Sequence, residues 1–322
     1  MEILKLAPVG KDYLWGGTRL QENFGKQINL NPLAETWECS VHPDGQSIVV
    51  NGSFAGMTLA EVFCRKPEYL GTKVGEKKEL PILVKFIDAK QDLSVQVHPD
   101  DDYAREYEGD NGKTEMWYVL ETDKGARLIY GFEHPVTEEL LRKAITDGEL
   151  DKHLHKVQIQ KGDCFYVPAG VVHGIGAGAL IAEIQESSNV TYRVYDYDRV
   201  DKNGQKRPLH FEKAVSVMDM QPAKVVQKKN RFVRYYPGCS REIVCRCKYF
   251  ETEHICVRKG FSFTAREESY QIFLCLDGEG QVETVDERRK PVRFRKGDCL
   301  FIPAGIGRCH LLGETELLKV RC

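Results

Sequence analysis

No apolar run in the chain approaches the about 20 residues that a membrane-spanning helix requires, and no spanning segment is expected. Neither sign of charge dominates: 46 Lys and Arg stand against 48 Asp and Glu, a net charge of −2. That balance removes any global pull towards nucleic acid or an anionic surface. The basic runs Lys224–Arg234 and Arg288–Lys296 are local and read as solvated faces of a linker and a hairpin. Low-complexity tracts are lacking too, and 42% hydrophobic with 29% charged residues is the composition of an ordinary globular protein. No hydrophobic leader follows Met1-Glu2-Ile3-Leu4-Lys5, so the sequon Asn51-Gly52-Ser53 carries no meaning. The 11 cysteines are odd in number and contain no Cys-x-x-Cys pair; Cys245 and Cys247 stand one residue apart, in strand alternation. Buried thiols in a reducing cytoplasm are expected, not a disulfide framework. Gly112-Lys113-Thr114 mimics the end of a phosphate-binding P-loop, but Tyr107 occupies the place of its first glycine and a strand pattern follows.

What the sequence does contain is one module written twice. Lys161-Gly162-Asp163-Cys164-Phe165-Tyr166-Val167-Pro168-Ala169-Gly170-Val171-Val172-His173 returns as Lys296-Gly297-Asp298-Cys299-Leu300-Phe301-Ile302-Pro303-Ala304-Gly305-Ile306-Gly307-Arg308. Each copy reads as a Gly-Asp turn, a short apolar strand and a Pro-x-Gly corner that aims the next residue inward. This resembles the second half-motif of a cupin barrel. The final histidine survives only in the first copy. Setting Met116–Leu120 against Ile272–Leu276 places Gln271 opposite Glu115, so the second barrel is expected to hold no metal and to serve packing.

Ligand candidates precede His173. In Leu93–His98, residues two apart share a face, so Ser94, Gln96 and His98 point one way and Leu93, Val95 and Val97 the other. A half-exposed edge strand alternates in the same way, but Glu115 opens the buried run Met116–Leu120, and a carboxylate held there needs a cationic partner. Two histidines and a glutamate, with an amide oxygen as a possible fourth, suit zinc with one position open; iron, manganese and cobalt also fit.

These residues carry a resemblance. Leu14-Trp15-Gly16-Gly17, Glu35-Thr36-Trp37-Glu38, Val84–Ala89, Gln96–Asp101, Gly112–Glu115 and Pro168–Asp198 are similar to segments of the type I mannose-6-phosphate isomerase family, in its short bacterial form. The resemblance implies one divalent ion, zinc, held by Gln96, His98, Glu115 and His173. It implies an active-site arginine at Arg193, with Lys113 and Glu183 beside it, and a phosphate contact from Ser94. Arg199 stands where larger relatives place a lysine, and the resemblance makes it a phosphate anchor with a different donor geometry.

Interconverting an aldose and a ketose moves a proton between adjacent carbons through an enediol, which calls for a base near neutral pKa, a stabilised oxyanion and a grip on phosphate. Glu183 suits the base and Lys113 with the metal the oxyanion; Arg193 fits either phosphate or enediolate. The expected activity is interconversion of mannose 6-phosphate and fructose 6-phosphate, with a phosphosugar as the partner and no nucleic acid or membrane. An idle phosphosugar sensor and an oxidative metal cupin are the competing readings. The oligomeric state is not legible.

The expected architecture is mainly β, with two cupin-type barrels and a few short helices packed on the first. Residues 1–230 form the catalytic unit with its insertions and linker, and 231–322 the degenerate second barrel. Thr58-Leu59-Ala60-Glu61 predicts a capping box opening a helix to about Leu70. Thr137-Glu138-Glu139 predicts a second helix, ended by Gly148; Asp100–Tyr107 predicts a third, and Leu209–Met218 has weak helical character.

Overall fold

The computed structural model describes residues 1–74, 79–200, 203–222, 224–225, 232–285 and 290–322. The expected junction at 230/231, Asp201-Lys202 and parts of both basic runs lie outside them. Among the described residues the strands form antiparallel sheets of six, five and ten members. The six-stranded sheet runs Cys164–Val167, Glu115–Thr122, Ala179–Glu186, Ile82–Ala89, Glu35–Cys39, Val9–Lys11; the five-stranded one runs Tyr192–Tyr195, Val95–Val97, His173–Ile175, Arg127–Phe132, Leu154–Gln158. One buried cluster, including Trp117, Leu128, Tyr130, Phe165 and Ile181, joins residues of both. The architecture is mainly β, as expected, although the layers are open sheets rather than closed barrels.

The repeat is visible in strand register. Val167 pairs with Glu115 in the first copy and Ile302 with Gln271 in the second, and the turn and corner glycines adopt positive φ in both: Gly162 (86°), Gly170 (87°), Gly297 (88°) and Gly305 (76°). The second interior is filled by apolar side chains such as Phe263, Phe273, Phe294 and Leu311. Arg308, at the position equivalent to His173, is exposed and does not bring its charge inside.

The N-terminal strand Leu4–Ala7 leaves the first unit and pairs with Cys299–Ile302, so chain order and sheet membership diverge. The helix opened by Thr58 has the full capping box, but stops at Arg65 and gives way to the 3-10 turn Pro67–Leu70. Pro67 has no N–H to continue the helical ladder. This helix also touches both units: Phe63 packs its ring 5.0 Å from Phe301. Asp101–Tyr107, Glu138–Thr146 and Phe211–Val217 form helices where the sequence signals lie. Among the described residues no helix is long and apolar enough to cross a membrane.

Candidate metal centre and active site

Two strands of the five-stranded sheet flank Val95–Val97 and set three site residues in register, because Gln96 pairs with His173 on one side and Arg193 on the other. In the six-stranded sheet Gln185 pairs with Glu115, and Glu183 with both Trp117 and Lys85. The two-residue period puts Glu115, Trp117, Glu183 and Lys85 on one face.

The imidazoles define what the site lacks. His98 Nδ1 lies 2.8 Å from the Val190 carbonyl and His173 Nδ1 2.8 Å from that of Val171. A carbonyl only accepts, so each Nδ1 carries the proton and each Nε2 presents a bare lone pair. Those two Nε2 atoms face each other at 3.1 Å, and Glu115 Oε1 is 3.2 Å from that of His98. Burial keeps both rings neutral, depressing His98 to about 3, with the Lys113 ammonium adding to the shift, and lowering His173. Glu115 Oε2 is buried without a hydrogen-bond partner. Facing lone pairs and a carboxylate demand a cation. Around a tetrahedral ion with bonds of about 2.0–2.1 Å, neighbouring nitrogens sit about 3.3 Å apart, close to the spacing present.

The Lys113 ammonium partly fills this demand, touching Glu115 and lying 3.0 Å from His98 Nε2. Burial opposes ionisation of Glu115, but the Lys113 ammonium beside it holds its carboxyl well below the ordinary range. Gln96 turns its amide nitrogen to His173 at 3.5 Å while its oxygen accepts from Ser94 Oγ at 3.2 Å. A half-turn of the amide exchanges oxygen and nitrogen in the same space.

Beside these groups lies a cavity of about 230 Å³ walled by Ser94, Gln96, Lys113, Glu183 and Arg193 among others. Burial first, and then the Glu115 charge, push the Glu183 carboxyl upward. Trp117 Nε1 donates to Glu183 at 2.9 Å, and the Lys85 ammonium sits 3.2 Å away, off the hydrogen-bonding direction. Burial pulls Lys85 down, yet Glu35 and Glu183 more than offset it and hold it charged. Arg193 donates to the Pro208 carbonyl at 2.9 Å, leaving its buried Nε unpartnered.

Arg199 is placed differently from the expectation. Its guanidinium is committed to Asp196 and to the Asp92 carbonyl at 2.5 Å, and it is not among the residues walling the cavity. Arg207 is on that wall, held by Asp196 at 2.6 and 2.7 Å. Sequence reasoning missed Arg207 and Lys85. Lys85 had a signal, a lone lysine inside the apolar run Ile82–Ile87; Arg207 had none.

The chain matches the family described as phosphomannose isomerase type I, catalytic domain, over residues 3–127, and mannose-6-phosphate isomerase, cupin domain, over 241–322. It is 49% identical to the probable mannose-6-phosphate isomerase GmuF of Bacillus subtilis, covering 98% of both chains. The chain belongs to the type I phosphomannose isomerase family. Mannose-6-phosphate isomerase ManA of the same organism is 37% identical to this family member across 98% of each chain. The crystal structure of the B. subtilis mannose 6-phosphate isomerase superposes with a TM-score of 0.91 at 34% identity, covering 99% of both. The apo form of the Salmonella typhimurium mannose 6-phosphate isomerase, at 16% identity, shares the fold with a TM-score of 0.76.

Proposed function

We propose that the protein interconverts mannose 6-phosphate and fructose 6-phosphate in the cytoplasm, using one divalent ion, zinc, held by His98, His173, Glu115 and Gln96. The observation that carries this reading is the pair of unprotonated Nε2 atoms facing each other at 3.1 Å beside a cavity rich in fixed charge. Nitrogen and oxygen donors of this kind suit zinc. The ion supplies fixed positive charge for the oxyanion that develops as the enediol forms. Free thiols at all 11 cysteines agree with a reducing compartment.

The chain's own residues divide the remaining work. Ser94, Arg193 and Arg207 offer one hydroxyl and two guanidinium groups on the same cavity wall, the donors a phosphate dianion accepts. Glu183 removes the proton from C2 of the aldose; O1 takes up a proton as the enediol forms. Return of the proton to C1, with loss of the O2 proton, gives the ketose. The raised pKa of Glu183 keeps it basic enough to abstract, while Trp117 and Lys85 fix its direction. Lys113, ion-paired with Glu115, adds positive charge at the reacting oxygens.

A coupled isomerase assay with metal analysis tests the scheme. Chelation is expected to abolish turnover and zinc to restore it. Arg193→Ala should lower kcat/KM at least about 100-fold, roughly 2.7 kcal/mol, with metal content intact, and Glu183→Gln should lower kcat more than it raises KM. Undiminished turnover in metal-free protein would overturn the assignment, and would equally dismiss the oxidative reading. A chain that binds the phosphosugar with no turnover in any metal form would be a sensor.

A further inference from the structure

Against the expectation that the second unit holds no metal, it carries a separate donor cluster away from the position equivalent to the first metal centre. Three neighbouring strands, Cys239–Arg246, Glu251–Val257 and Gly307–Arg321, set Glu242 opposite His254 and Cys256 opposite Glu316. Directly paired residues share a face, and so do His254 and Cys256, two apart on one strand. The intervening Ile255 and following Val257 point into the apolar interior. All four polar side chains therefore lie on the other face, where Tyr118 of the first unit stacks on the His254 ring at 5.3 Å and 25°.

One ligand atom each from His254, Cys256 and Glu316 lies within 4.8 Å of the other two. His254 Nε2 is 2.7 Å from Glu316 Oε1 and 3.9 Å from Cys256 Sγ. On the opposite ring edge, Nδ1 meets Glu242 Oε1 at 3.2 Å. This is the carboxylate–imidazole relay by which proteins orient a ligating histidine and fix its tautomer: Nδ1–H donates to the carboxylate and Nε2 turns its lone pair to the ion. Tetrahedral zinc with bonds of about 2.0 Å to nitrogen and oxygen and about 2.3 Å to sulfur spaces N and S about 3.6 Å apart, and N and O about 3.3 Å. The sulfur is nearly in place, and the Glu316 carboxylate has to retreat by roughly half an ångström.

We propose that His254, Cys256 and Glu316 form a second metal site, taking a zinc-like divalent ion with Glu242 as the orienting carboxylate. Nitrogen, thiolate and carboxylate together select a borderline-soft ion over magnesium or calcium. The sequence pattern hid this site because its donors come from two strands 62 residues apart, His254 and Cys256 on one and Glu316 on the other, with the orienting Glu242 on a third. The alternative is a proton in place of the ion, with an imidazolium bridging Glu242 and Glu316.

Sulfur separates the two sites experimentally, since the first centre has no thiol. The 322-residue chain, stripped by chelation and reloaded with cobalt(II), should show a thiolate-to-cobalt charge-transfer band in the near ultraviolet. Cys256→Ser should lose that band, drop from about two ions per chain to about one, and retain wild-type isomerase turnover. His254→Ala should do the same. A wild-type cobalt protein without the band overturns the proposal, as does a band that survives in Cys256→Ser.

Discussion

His98 and His173 each use Nδ1 on a backbone carbonyl, so their tautomers are set by the fold and their free lone pairs are aimed before any ligand arrives. Glu186 behaves differently. It is buried next to the site, accepts from the Thr114 N–H at 2.8 Å, and is pushed from its ordinary 4.5 to about 7 by burial, with Asp101 adding to the shift against Thr114. Below pH 4.5 folded and unfolded chains both keep this proton. Between 4.5 and about 7 only the folded chain keeps it, so stability falls as pH rises and the loss is complete above about 7. Glu186→Gln removes that slope: its Tm advantage over wild type should grow between pH 5 and 8 by scanning calorimetry. Parallel Tm curves would show that Glu186 is not the titrating group.

The Pro-x-Gly corner is the element that delivers His173. Gly170 sits at φ 87°, donates its N–H to the His98 carbonyl at 2.9 Å and accepts from the Asp219 N–H at 2.8 Å. A methyl there meets the Val217 carbonyl at 3.1 Å. Gly170→Ala should cost about 1–2 kcal/mol from the left-handed backbone alone, and because the corner ties His98 to His173 it should also weaken metal retention. Gly125→Ala is the control, with φ 84° and open space around the added carbon. Thermal melts and metal content of the pair should differ in the second readout. Equal metal content would confine the effect of Gly170 to stability.

Between the two units, buried Lys26 donates to Glu38 at 2.6 Å and to the Gly297 carbonyl in the turn of the second repeat at 2.5 Å. Burial pushes the Glu38 carboxyl up and Lys26 pulls it back. Lys26→Met leaves that carboxylate only the Thr36 hydroxyl at 2.6 Å and strands the carbonyl, and should cost about 3–5 kcal/mol, read by denaturant unfolding. Adding Glu38→Leu should recover part of the loss. A double variant as unstable as the single one would mean that Lys26 acts through Gly297 alone.

The residues alone determined the candidate metal-binding trio and the repeat, because both are local. A period of two fixes which face Gln96 and His98 share, and a glycine at positive φ fixes where His173 points. The Thr58 capping box and the short helices were legible for the same reason. Tertiary structure decided which arginine meets the cavity, since Asp196 holds both Arg199 and Arg207 while only Arg207 reaches the wall. It also decided that Leu4–Ala7, with Ile48–Val49 on its other side, extends a sheet built mainly from the far end of the chain, and that His254, Cys256 and Glu316 converge. Pairings of this kind close long loops and depend on which edges are free once the sheets form, so no spacing in the chain announces them.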